Sequence, residues 1–171
     1  METAMRRALA ARPARWLVAV TLALAMMLAL ANVNVATAQP VQVVGTFTQT
    51  SFVTANERAV GDLTLFDFLE ETALTGTATG TSMTAGTCAL HPSGHAACLA
   101  LETFSGVIDG EVGTVQFQNV AVLDTTTDTI HGAFTVVEGS GTGGLEGLSG
   151  HGSFAGQGGS GTYMASLEFG S

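Results

Sequence analysis

The sequence predicts one all-β domain, a barrel or sandwich of short strands, preceded by a cleavable leader. Three observations carry this. After residue 39 the apolar residues recur with a period of two rather than 3.6. Glycine-rich turns interrupt the apolar runs at short intervals. No stretch after residue 39 has both the length and the period of a convincing helix, so the strands must be covered by closing on themselves or on each other.

Residues 1–38 read as a signal peptide. Arg6, Arg7, Arg12 and Arg15 form a basic start, an uncharged apolar run extends from Trp16 to Ala31, and Ala36-Thr37-Ala38 supplies a small-x-small site, so cleavage is expected between Ala38 and Gln39. The alternative is an uncleaved anchor, but the apolar run falls short of the roughly 20 residues that span a bilayer. The residues around Arg6-Arg7 are not those of a twin-arginine signal, which points to general export, and no cysteine follows the apolar run to take a lipid. The expected location is secreted or periplasmic.

Removing the leader changes the charge. Residues 39–171 hold 13 acidic residues against one base, Arg58, a formal charge of −12 where the whole chain has −9. They also hold all 22 glycines and no lysine. One cation cannot neutralise a phosphate backbone, so nucleic acid and anionic membrane are excluded as expected partners, and little is left to hold a nucleotide. The 133 residues suffice for one domain that buries about two thirds of its unfolded surface.

The strands follow in order. Val41, Val43 and Phe47 share one face and Thr46, Thr48 and Thr50 the other. The stretch from Leu63 to Ala73 is ambiguous between strand and one short helix, and strand is favoured. Asp109-Gly110 is the strongest hairpin signal in the chain. Beyond it Val115 and Phe117 alternate with Thr114, Gln116 and Gln118, after which Val120 and Val122 carry the apolar pattern, and this change of phase predicts a bulge near Asn119. Ile130, Gly132, Phe134 and Val136 line one face of a further strand, and Tyr163, Ala165, Leu167 and Phe169 that of the last. Seven Gly-Thr dipeptides have no fixed spacing, which excludes a solenoid.

Residues 139–162 contain 11 glycines but also Leu145, Leu148 and Phe154, which a flexible linker would lack; they are expected to plug a core. Glycine there allows positive φ and close backbone approach. The segment Gly150-His151-Gly152-Ser153-Phe154-Ala155 matches a dinucleotide fingerprint only formally, because no helix follows to receive a pyrophosphate. No cofactor is expected.

Cys88 and Cys98 are symmetric about Ser93, so a hairpin turning at Pro92-Ser93-Gly94 would set Cys88 opposite Cys98 and His91 opposite His95. Opposed strand residues lie about 4.5 to 5.5 Å apart, inside the disulfide window, and export supplies an oxidising compartment. The competing reading is a Cys2His2 metal site formed by Cys88, His91, His95 and Cys98, although such close ligands make tetrahedral closure awkward.

The run Gly132-Ala133-Phe134-Thr135-Val136-Val137-Glu138-Gly139-Ser140-Gly141-Thr142-Gly143-Gly144-Leu145-Glu146-Gly147-Leu148-Ser149-Gly150, with Phe104-Ser105-Gly106-Val107-Ile108-Asp109-Gly110 upstream, resembles a bacterial family of uncharacterised domains that is itself similar to the allene oxide cyclase and dirigent barrels. The resemblance covers about residues 42 to 169 and implies an eight-stranded antiparallel β-barrel. It implies no activity for this chain.

Few residues qualify for catalysis. Glu102 shares a face with Phe104 and Ile108, which would point it into a barrel, unless the strand changes parity and leaves it on the rim. Asp67, between Phe66 and Phe68, carries the same ambiguity, and His131 is expected to face solvent. Three readings result. The first is a barrel that binds a small apolar ligand in its lumen. The second is a structural or interaction module whose lumen is filled by Phe47, Phe104, Phe117 and Phe134. The third is a cyclase-like isomerase with Glu102 as its titratable helper. Nothing in the sequence sets the oligomeric state.

Overall fold

A computed structural model describes residues 39–170. The leader over residues 1–38 and its cleavage after Ala38 lie outside the described residues. Eight antiparallel strands follow one another around a closed barrel: β1 (Val41–Val60), β2 (Leu63–Gly76), β3 (Ala78–Leu90), β4 (His95–Ile108), β5 (Glu111–Asp124), β6 (Thr129–Val136), β7 (Ser149–Gln157) and β8 (Ser160–Glu168). Closure comes from β1, whose first half pairs with β8 from Val41↔Leu167 to Thr48↔Ser160 while Gly45 to Thr48 also pair with β2 on the other side. Among the described residues no helix is long and apolar enough to cross a membrane. The stretch from Leu63 to Ala73 is strand throughout.

Turn chemistry places the strand ends. Asp109 and Gly110 both adopt positive φ, 51° and 90°, which joins β4 to β5 by the two-residue turn that the Asp-Gly pair predicts. The loop between β6 and β7 holds one 3-10 turn, Gly143–Leu145, and carries Leu145 and Leu148 into the barrel base, where both are fully buried beside Ile108, Val115 and Leu167. Gly143 takes positive φ at the start of that turn, and Gly141 meets the Leu145 carbonyl too closely to admit a side chain. The glycine-rich segment is therefore a plug held by close backbone contacts, as its leucines predict.

One predicted bulge is corrected. Pairing of β5 with β4 and with β6 runs without a shift through Asn119. Val115, Phe117 and Asn119 all point inward and are buried, whereas Val120 and Val122 lie exposed on the outer wall beside Leu99 and Leu101. The apparent change of phase reflects an unusually apolar outer face and not an inserted residue. The register shifts fall instead on β1, between Gln49 and Ser51 and between Ala55 and Arg58. The first turns Phe52 toward the barrel mouth, where its ring stacks on Phe68 with centroids 5.6 Å apart.

Cys88 and Cys98 face one another across β3 and β4 and are joined by a disulfide. They head a second apolar cluster, with Ala96, Phe66, Phe68 and Leu123, near the open end. The competing metal set would need both sulfurs as thiolates, and the bond between them removes these two ligands. The two histidines have other neighbours: His91 Nδ1 lies 2.8 Å from Ser93 Oγ, and His95 Nδ1 lies 4.0 Å from an Asp124 carboxylate oxygen. Because the bridge closes a short loop in an already local hairpin, its removal in a Cys88→Ser/Cys98→Ser variant is expected to cost about 1 to 2 kcal/mol, at the low end for disulfides. Urea unfolding checks this, and an unchanged midpoint would show that the bridge leaves stability untouched.

Candidate functional site

The barrel axis holds a cavity of about 290 Å³. Its base is sealed by Val43, Ile108 and Leu167 over the Leu145–Leu148 plug. Its mouth lies at the opposite end, among Phe52, which is half exposed, Gln49, Asp128 and Gly159. Between them stand Phe47, Phe104, Phe117, Phe134 and Phe154. Strand parity explains the aromatic wall, since each of these residues occupies an inward position of its strand. Two edge-to-face pairs, Phe117 with Phe134 at 5.3 Å and Phe47 with Phe154 at 6.2 Å between centroids, fix the rings.

Into this wall the register sets one polar belt. Glu70 on β2 pairs with Thr84 on β3, and Thr84 pairs with Glu102 on β4, so both glutamates project inward at one height. Thr72 and Ser82 lie one level nearer the base, and Asn119 on β5 one level nearer the mouth. Asn119 Nδ2 donates to Glu102 Oε2 at 2.9 Å. This bond fixes the amide orientation, because the reversed amide would turn its oxygen toward the carboxylate. Asn119 Oδ1 is buried and finds no hydrogen-bond partner among the described residues. Burial, and then the negative charge of Glu102 close by, push the Glu70 carboxyl up to about 7. Glu70 therefore titrates near neutrality beside a second carboxyl.

Glu102 thus occupies the inward of its two predicted positions. The parity change that would put it on the rim does not occur, because Leu99 and Leu101 are the residues on the outer face. Asp67 faces outward, where the Thr87 hydroxyl at 2.7 Å and the Asn56 amide at 3.0 Å hold its carboxyl below the usual range. His131 is exposed on the outer wall, as expected. Tyr163 also reaches the cavity, but its hydroxyl donates toward the Thr75 and Ala78 carbonyls, each 3.0 Å away, and accepts the Ala78 N–H at 3.3 Å. That oxygen is occupied in tying β8 to the β2–β3 turn. Burial raises its pKa.

Sequence reasoning missed Glu70 and Asn119. The signal for Glu70 was present: Phe66, Phe68, Glu70, Thr72 and Leu74 form an unbroken period of two, and the parity of the phenylalanines selects Glu70 over Asp67. Reading Asn119 as a bulge concealed its membership of the series Val115, Phe117, Asn119, Ala121, Leu123.

No curated protein matches this chain. Among solved structures, the crystal structure of a protein with unknown function from the DUF3224 family of Shewanella oneidensis MR-1 is similar, with a TM-score of 0.66 and 24% identity over 78% of this chain and 99% of that one. At that identity the likeness bears on the fold alone. The family model described as protein of unknown function (DUF3224) matches residues 43–167, which span all the lumen-facing positions from Val43 to Leu167, and the chain belongs to this family.

Proposed function

We propose that this protein is an exported barrel that binds a small, largely apolar ligand in its lumen. The observation that carries the reading is the cavity itself: about 290 Å³, walled by phenylalanines, closed at one end by the Leu145–Leu148 plug and reached from the other past Phe52. A filled structural barrel would use these rings to occupy the axis, whereas here Phe47, Phe104, Phe117 and Phe134 leave that space between them. The disulfide fits an oxidising compartment, and the charge of −12 over residues 39–171 fits a ligand other than a nucleotide or an anionic lipid surface.

Native mass spectrometry of the protein purified from its own culture medium tests the reading. A retained small molecule that is lost from a folded Ala121→Phe variant, whose new ring occupies the upper lumen, is the expected result. Retention unchanged in that variant would place the ligand elsewhere and overturn the reading. A second reading, an isomerase in the manner of the allene oxide cyclase barrels, is favoured by the inward position of Glu102 beside a glutamate that titrates near neutrality. Glu102→Gln separates the two: binding retained with loss of turnover of the identified ligand supports catalysis, and turnover left intact removes it.

A further inference from the structure

Resting on the lumenal binding site, we propose that its ligand carries a primary amine, seated as an ammonium against Glu70, Glu102 and Asn119 Oδ1 with its apolar body among the phenylalanines. Three features of the belt agree on that chemistry. The first is an acceptor with no donor: Asn119 lines the cavity and is only 8% exposed, its Nδ2 is engaged by Glu102, and its buried Oδ1 has no partner among the described residues. A buried unsatisfied acceptor is costly, and a ligand N–H removes that cost. The second is charge. Two carboxyls share one level of the lumen, and among the described residues no lysine, arginine or histidine lines it, so no side chain of the lining supplies a cation to pair with them. The third is the number of acceptors, because an ammonium offers three donors and the belt carries acceptor side chains on three strands, β2, β4 and β5. The surrounding rings favour the same charge, since a cation over an aromatic face is attracted by it.

The opposite class is disfavoured by the same atoms. A carboxylate ligand would become a third negative charge beside Glu70 and Glu102, and its oxygens would add acceptors where a donor is missing. A neutral alcohol could donate one hydrogen bond but could not balance the charge.

Isothermal titration at pH 8 with n-octylamine, n-octanol and n-octanoate, three probes of one chain length, tests the proposal. The amine is expected to bind about tenfold or more tighter than the alcohol, as charge-assisted bonds require, with the octanoate weakest. In Glu70→Gln and Glu102→Gln the advantage of the amine over the alcohol should shrink several-fold while octanol affinity stays nearly constant. An alcohol or octanoate affinity equal to that of the amine, or an amine advantage unchanged in both variants, would overturn the amine assignment while leaving lumenal binding in place. Binding of none of the three, in protein shown folded by circular dichroism, would overturn both.

Discussion

Leu145→Ala is expected to destabilise the barrel by about 3 kcal/mol, lowering its melting temperature by about 10 to 15 °C. Leu145 is 0% exposed and is carried on the 3-10 turn of the β6–β7 connection, so no strand holds its side chain in the plug. Truncation removes buried methyl groups and leaves a void against Val115, Ile108 and Leu167. The surrounding strands are tied by continuous ladders and cannot collapse into it, which adds a cavity cost to the lost burial. Leu99→Ala is the control. Leu99 is 63% exposed on the outer wall, and its truncation should change stability by less than about 0.5 kcal/mol. Urea unfolding of the two variants decides the matter, and equal midpoints would mean that the loop leucine does not seal the base.

Glu70→Gln is expected to raise stability at pH 8 by about 2 kcal/mol and to leave it unchanged at pH 4. The sign follows from the direction of the pKa shift. In the folded barrel, burial and the Glu102 charge raise the Glu70 carboxyl from its ordinary 4.5 to about 7, so the folded state favours the protonated form. Below pH 4.5 the group is protonated in both states and contributes no difference. Between 4.5 and 7 the unfolded chain releases the proton while the folded one keeps it, and stability falls as pH rises. Above 7 the loss is complete. Unscreened, it would amount to about 3 kcal/mol, and the partial solvent access of the lumen reduces this to about 2. Glutamine cannot ionise and escapes the loss. Denaturant midpoints of both proteins at pH 4 and pH 8 test this, and a gain of the same size at both values would exclude titration of Glu70 as its origin.

If Glu70 and Glu102 hold a ligand ammonium, the instability and the function have one origin. A carboxylate pair costs the empty barrel stability above neutral pH, and the same pair is what attracts a cation. Glu70→Gln should then give a more stable protein that binds the amine less well.

Much of the fold was legible along the chain. Period-two alternation identified strand within β1, β5, β6 and β8, Asp109-Gly110 its hairpin, and the spacing of Cys88 and Cys98 their bond, because each depends on neighbours within a few residues. The leucines of the glycine-rich segment marked a plug for the same local reason: apolar side chains at fixed intervals are wasted in a linker.

Tertiary structure decided which face of each strand is the inside. Alternation divides a strand into two faces, but where the outer face is as apolar as the inner one, as at Leu99, Leu101, Val120 and Val122, composition cannot choose between them. Closure of β1 on β8 makes the choice, and with it sends Glu102 and Asn119 into the lumen and Asp67 out of it. The register of β3 with β2 and with β4 brings Glu70 and Glu102, 32 positions apart in the chain, to one height through their shared neighbour Thr84. Their interaction is a product of strand register, since each carboxyl alone carries no mark of the other in the sequence.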